Sequence, residues 1–195
     1  MKFPLNLTFK LLALASQIYV RDADGNLLGY VKQKLFKLKE DINVYADENQ
    51  TKLLFNIKAD RIIDFSARYN FTGSDNQFIG SIKRQGMRSI WKAHYEISDA
   101  NNQQIFQIRE ESAWTKVFDA LVGEVPVVGL FTGYLFNPAY IMSRMDDSPI
   151  LLLKKQPAFF EGVFQLVPQS QISPDEETLV LLGSLMLTLM ERRRG

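Results

Sequence analysis

Cationic side chains crowd two short stretches of the sequence, and their spacing indicates anion binding. Each stretch lies in or beside a predicted strand; the cations are Lys32, Lys34, Lys37 and Lys39 in the first, and Lys83, Arg84 and Arg88 in the second. On a rigid surface, arginine can hold a phosphate through two parallel hydrogen bonds, and lysine acts on it as a point charge. Lysines also protect sheet edges and keep proteins soluble. The clusters therefore predict either an anionic-headgroup site or a solvated face.

Catalytic and metal-binding chemistry has little support in the residue types present. The chain has no cysteine, which excludes disulfides, thiolate catalysis and cysteine metal sites. His94 is the single histidine and has no second histidine to converge with. The 22–26 stretch reads Asp-Ala-Asp-Gly-Asn, but its glycine comes too early for an EF-hand loop, and it predicts a turn. Without a phosphate loop or a nucleophile elbow, the sequence predicts no catalytic residue, metal or cofactor.

The composition is that of a soluble globular protein with one domain. The 195 residues are 46% hydrophobic and 23% charged, and the formal net charge of +1 argues against a nucleic-acid partner. The N-terminal apolar stretch alternates with polar residues like a strand, unlike a signal peptide. We therefore expect a retained N-terminus and a cytoplasmic protein.

Four polar clusters divide the first half of the chain into similar hairpins. They occur at 22–26, 46–50, 72–77 and 98–103. Each is followed by a strand-like run, and successive runs begin about 25 residues apart. The strand-like runs alternate: Tyr95 and Ile97 share one face, and His94 and Glu96 share the other. This pattern is typical of antiparallel strands with one buried face.

The C-terminal segment predicts a helix over 174–194. Ser173 can cap it, Pro174 suits its first position, and Glu176 completes a capping box. The uncharged run 178–190 is apolar on every face, yet about 20 Å long, which is too short for a bilayer. A helix of this kind must be enclosed by protein.

These elements predict a mainly β fold: a closed antiparallel barrel of about twelve strands around the hydrophobic C-terminal helix. Closure removes the exposed edges of a many-stranded sheet, and the helix fills an interior that side chains alone would leave hollow. The whole chain, 1–195, forms this one domain, with a helical and apolar insertion at 112–145. Within it, the charge-free run 125–142 is interrupted by proline and glycine, which favours a buried loop, an edge element or a membrane-touching segment over a spanning helix.

This order of elements resembles the tubby C-terminal-like superfamily, which includes the LURP-one-related proteins and the phospholipid scramblases. The residues that carry the resemblance are 18–25, the recurring hairpins, and 164–168 ahead of 181–187. The resemblance implies a barrel around a central helix and a role at membranes. The stretch that matches the scramblase calcium segment, 159–164, holds one carboxylate, whereas calcium takes six or more oxygens.

Three functions follow as expectations. The first is a non-enzymatic module at the inner membrane face that binds anionic phospholipid headgroups through the two cationic clusters, as the resemblance to tubby domains implies. The second is a structural or protein-interaction domain that forms a homo-oligomer through the 125–142 segment. The third is scramblase-like lipid transfer without calcium dependence.

Overall fold

A computed structural model describes residues 1–12, 15–34, 41–61, 67–85, 94–110, 139–156 and 162–191, with the side chains at 11, 12, 15, 16, 33 and 34 outside the description. Twelve strands in this part of the chain form one closed antiparallel barrel in which each strand pairs with its neighbours in sequence and the last pairs with the first. The strands are β1 (Leu5–Leu12), β2 (Ala15–Arg21), β3 (Leu27–Lys34), β4 (Asp41–Tyr45), β5 (Leu53–Ala59), β6 (Arg68–Gly73), β7 (Phe78–Arg84), β8 (His94–Asp99), β9 (Gln104–Glu110), β10 (Ala139–Arg144), β11 (Pro149–Gln156) and β12 (Gly162–Pro168). One helix, α1 (Pro174–Glu191), follows them. The predicted fold class is confirmed.

The four predicted turns connect β2 to β3, β4 to β5, β6 to β7, and β8 to β9. In each, an aspartate side chain accepts at least one backbone N–H group within the turn; Asp22 Oδ1, for example, accepts from Asp24 at 3.0 Å and from Asn26 at 2.9 Å. These hydrogen bonds, that from the Asn26 side chain foremost, hold the pKa of Asp22 below its usual value. Because the carboxylate is engaged in the turn, residues 22–26 act as a turn, as the sequence predicts.

Alternation along each strand separates the interior of the barrel from its outer wall. Tyr95 and Ile97 of β8 are fully buried, whereas His94 and Glu96 are partly exposed, which confirms the predicted facing of that strand. The inward-facing side chains of all twelve strands and the apolar residues of α1 belong to a single hydrophobic core. The interior is therefore a packed core built around the helix.

Residues 139–144 form β10, although they fall within the predicted 112–145 insertion. β10 pairs with β9 and β11, and its Tyr140 and Met142 are buried while Ile141 between them is half-buried. The alternation is hidden in the sequence because residues of both faces are apolar. Residues 139–144 therefore belong to the barrel wall, and the rest of the predicted insertion up to residue 138 lies outside the described residues.

Helix α1 has no exposed face along its middle, as the sequence predicts. All ten residues from Leu179 to Thr188 are buried. The capping box is present, because the Ser173 N–H donates to Glu176 Oε2 at 2.8 Å and the Glu176 N–H donates to Ser173 Oγ at 3.3 Å. The predicted helical residues 192–194 lie outside the described ranges.

Both ends of α1 are attached to the wall by polar contacts. At its start, Arg144 of β10 donates to Glu176 at 3.0 Å. Partial burial alone would raise the pKa of Glu176, but the bonds from Ser173 and Arg144 hold that pKa below its usual value. At its end, the hydroxyls of Tyr95 and Tyr140 donate to the Glu191 carboxylate. Burial and the neighbouring Glu191 charge raise the pKa of Tyr95 well above its usual value, so this hydroxyl keeps its proton.

Glycine is required where the helix passes closest to β7. A Cβ atom on Gly80 would lie 2.3 Å from the Ser98 carbonyl oxygen and 2.6 Å from Leu179 Cδ2. The φ angle of +158° at Gly80 is also one that other residues rarely adopt. Gly80 thus lets the helix and two strands approach one another.

We predict that Gly80→Ala destabilises the protein by about 3 kcal/mol, because the added methyl overlaps a backbone carbonyl that cannot move without breaking the barrel pairing. Chemical denaturation of both proteins measures this change. Gly162→Ala is the matched control, because its Cβ would meet only Phe9 Cβ at 3.6 Å, an ordinary contact. Equal stability losses in the two variants would contradict the close approach of α1 to β7.

Candidate functional site

The structure describes part of each predicted cationic cluster. Lys32 is exposed on β3, and Lys83 and Arg84 are partly exposed at the end of β7. Lys34 is the last residue of β3, and its side chain lies outside the description, as do Lys37, Lys39 and Arg88 entirely. The predicted roles of these residues stay predictions.

The two clusters lie on different sectors of the barrel. Three strands separate β3 from β7, so Lys32 and Lys83 are roughly 19 Å apart around the wall at about 4.8 Å per strand. Lys83 lies in register between Arg68 and Glu96. The Arg84 guanidinium lies 5.9 Å from the ring centre of Tyr95, which faces the interior. The clusters therefore do not form one continuous site.

A different lysine joins Lys32. Strand register places Lys10 of β1 opposite Gln17 of β2, and Gln17 opposite Lys32 of β3. Lys10 and Lys32 are both exposed, and two strand spacings put their backbones roughly 10 Å apart. Lys10 is not part of either predicted cluster because it lies in a separate, largely apolar strand, although its outward position follows from the alternation of that strand.

Two neighbouring tyrosine rings lie beside these cations. Tyr19 and Tyr30 are opposite each other on β2 and β3, and their ring centres are 5.2 Å apart. They lie on the outer wall, since their strand neighbours Ile18 and Val31 face the interior, yet Tyr19 is only 7% and Tyr30 only 1% exposed. Such burial on an outer wall indicates a packed surface site.

The Tyr19 ring attracts and positions two cations. Lys10 Nζ lies 5.4 Å and the Arg21 guanidinium carbon 5.6 Å from the ring centre of Tyr19. Cations at this distance are attracted to the electron-rich face of the ring. Side chains that would otherwise move freely in solvent are thus held near Tyr19.

The Tyr19 hydroxyl is the polar centre of the same site. It lies 3.1 Å from Gln17 Oε1 and 3.1 Å from Glu48 Oε2, the latter on the β4–β5 turn. Burial, the hydrogen bond to Glu48 and the charge of Glu48 raise the pKa of Tyr19 to about 12. Tyr19 is therefore a neutral hydrogen-bond donor at physiological pH, and it is unsuited to act as a base.

We call this surface the cationic row; it comprises Lys10, Gln17, Tyr19, Arg21 and Lys32 with their neighbours Tyr30 and Glu48. It carries three positive charges, from the two lysines and the arginine, against the one negative charge of Glu48. Excess positive charge with oriented donors is the chemistry that holds a phosphate or another anion. Within the described ranges, no three histidine or acidic side chains come close enough together to hold a metal ion. Nor does any helix there combine the length and apolar character that crossing a membrane needs.

Comparison with known proteins identifies one family. The model of the family described as LURP-one-related matches residues 27–137, which is more than half of the chain. No curated protein and no solved structure matches the chain. The match begins at the first residue of β3 and includes Lys32 and the predicted cluster at 83–88, whereas Lys10 and Arg21 precede it.

Proposed function

The chain belongs to the LURP-one-related family of the tubby-like superfamily, and we propose that it is a non-enzymatic module that binds anionic lipid headgroups at a membrane surface. The observation that carries the proposal is the cationic row on β1 to β3. Its exposed lysines and its arginine project from a rigid wall, as a headgroup site requires.

A headgroup phosphate fits between Lys10 and Lys32. Lysine ammonium groups are compact charges on flexible stems, so two of them about 10 Å apart at the backbone can both reach one phosphate group. Gln17 lies between them and adds a hydrogen-bonding amide. Arg21, held over Tyr19, supplies a further charge next to the same row.

The positive charge of the cationic row indicates which side of the membrane the protein would bind. Anionic lipids give the cytoplasmic leaflet a negative surface potential, and basic residues near that surface contribute about 1 kcal/mol each. Attraction of this kind is screened by salt, because the Debye length falls to about 3 Å at 1 M ionic strength. The proposed module thus binds reversibly at the inner face of the membrane.

Removal of both lysines tests the proposal. We expect Lys10→Ala/Lys32→Ala to bind vesicles containing phosphatidylserine about thirtyfold more weakly than the parent protein, since each lysine contributes about 1 kcal/mol. Vesicle flotation over a range of lipid concentrations measures this affinity. Phosphatidylcholine vesicles should bind neither protein, and added salt should release the parent protein from the anionic vesicles.

Lys154→Ala is the matched control for these substitutions. Lys154 is also an exposed strand lysine, but it lies on β11, two strands from β1 on the side away from β2 and β3. If Lys154→Ala weakened binding as much as the double substitution, general charge would explain the attraction and the proposed site would be wrong. Equal binding to neutral and anionic vesicles would also contradict the proposal.

A second candidate function is self-association through an apolar row on β10 to β12, the strands on the side of β1 away from β2. Register aligns Ile141 of β10, Leu152 of β11 and Val167 of β12 on the outer wall, and all three are half-buried. Ile141 belongs to the 125–142 segment for which the sequence predicts a subunit interface; residues 125–138 lie outside the described ranges. The proposed occupant of this row is a second copy of the chain.

Sedimentation velocity over a range of protein concentrations separates the second candidate from the first. We expect a concentration-dependent dimer that Leu152→Lys abolishes, because a buried ammonium group without a partner opposes association. Lys154→Ala, two residues along the same strand on the same face, should leave the dimer intact. A monomer at every concentration would reject self-association and leave the headgroup proposal unaffected.

A further inference from the structure

A depression of about 580 Å³ lies on the outer wall over β4 to β7, and its first strand, β4, is the neighbour of β3 in the cationic row. Its volume is in the range of about 300–1,000 Å³ that small-molecule sites occupy. The residues that define its chemistry are Asp41, Asn56, Lys58, Asn70, Thr72 and Phe78. They come from four neighbouring strands, so the barrel pairing fixes their relative positions.

Strand register explains why these side chains converge. Asn56 of β5 lies opposite Thr72 of β6, and Lys58 of β5 lies opposite Asn70 of β6. Asp41 of β4 lies opposite Lys58 on the other side. The period-two alternation of the strands therefore directs this set of polar groups outward to the same surface.

The amide of Asn56 is held in a fixed orientation. Its Nδ2 donates to Asn43 Oδ1 at 2.8 Å and also to the carboxylate of Asp41. Both acceptors lie on β4, so the nitrogen points toward that strand, and the carboxamide oxygen points away from it. A polar group oriented in this way is prepared to accept a hydrogen bond from a ligand.

Two further polar groups in the depression have unused hydrogen-bonding capacity. Asn70 and Thr72 are half-buried, and neither side chain makes a hydrogen bond within the described part of the chain. An amide offers two donors and an acceptor oxygen, and a hydroxyl both donates and accepts. Together these residues present donors and acceptors in the same small area.

The balance of charge favours an uncharged ligand over a strongly ionic one. Asp41 and Lys58 contribute one negative and one positive charge, so the lining has no net charge to attract an anion or a cation. Phe78 adds an apolar aromatic surface next to the amides. Sugar rings match this combination, because their hydroxyls both donate and accept while their C–H faces pack on aromatic rings.

We propose that this amide depression binds an uncharged saccharide. An extended peptide is a poorer match, because β4 to β7 are paired with one another beneath the depression and offer no free edge there for strand addition. The inference is independent of the headgroup proposal, since the two surfaces share no residue and carry different net charge.

Nuclear magnetic resonance titration of the full chain with neutral sugars tests the inference directly. The probes are glucose, galactose, mannose, N-acetylglucosamine, maltotriose and chitotriose, each added up to about 50 mM to detect a Kd in the millimolar range. We expect at least one probe to cause saturable shifts of the amide signals of β4 to β7, including the side-chain amides of Asn56 and Asn70.

Two single substitutions assign the binding to the depression. Asn70→Ala and Thr72→Val should each weaken the saturable binding by about three- to tenfold, the usual effect of losing one hydrogen bond. Asn101→Ala is the matched control, because Asn101 is an exposed asparagine on the β8–β9 turn. Lys10→Ala/Lys32→Ala should bind the sugar like the parent protein, which separates this inference from the headgroup proposal.

Three results would overturn the inference. The first is the absence of saturable shifts with every neutral probe, which depends on the parent protein alone and on no variant. The second is saturable shifts outside β4 to β7, and the third is binding unchanged in both Asn70→Ala and Thr72→Val. If no neutral sugar binds, glucose 6-phosphate is added as a further probe, and its binding would assign an anion to the depression instead.

Discussion

The mutual burial of one apolar helix and twelve strands is the interaction on which the whole structure depends. Helix α1 is apolar all round, so it cannot remain in water, and the barrel alone would enclose a void. Each element therefore stabilises the other through the same buried surface. The polar contacts at the two ends, Arg144 with Glu176 and the two tyrosines with Glu191, fix the position of the helix along the barrel.

A filled interior leaves the outer wall as the surface available for binding. Each strand that directs residues such as Ile18 and Val20 inward must direct Tyr19 and Arg21 outward, so the core and the surface sites arise from one alternating pattern. Every described strand has a paired neighbour on each side, although β3 and β4 pair only at Tyr30 and Tyr45, so the outward-facing side chains are the main surface for recognition. The cationic row and the amide depression are two such side-chain surfaces, on the adjacent sectors β1 to β3 and β4 to β7.

The fold could be predicted further than the site because its signals are local and periodic. The Ser173 capping box, the apolar run after it and the recurring turn aspartates are each read within a few residues. The cationic row depends on which strands are neighbours. Lys10 and Lys32 lie near each other only because β1 and β3 flank β2, and their separation in the sequence gives no sign of this proximity. β10 could not be predicted in this way because Tyr140, Ile141 and Met142 are all apolar. Its inward- and outward-facing residues therefore do not differ in polarity.

Hydrogen exchange of the backbone amides measured residue by residue is the most direct test of the enclosed helix. The structure predicts that the amides of 180–188 exchange only when the whole protein unfolds, with a free energy of opening equal to that of global unfolding and to that of the central barrel strands. Exchange of these amides through local opening, well before the strands exchange, would show that the helix leaves the barrel on its own and would contradict the account.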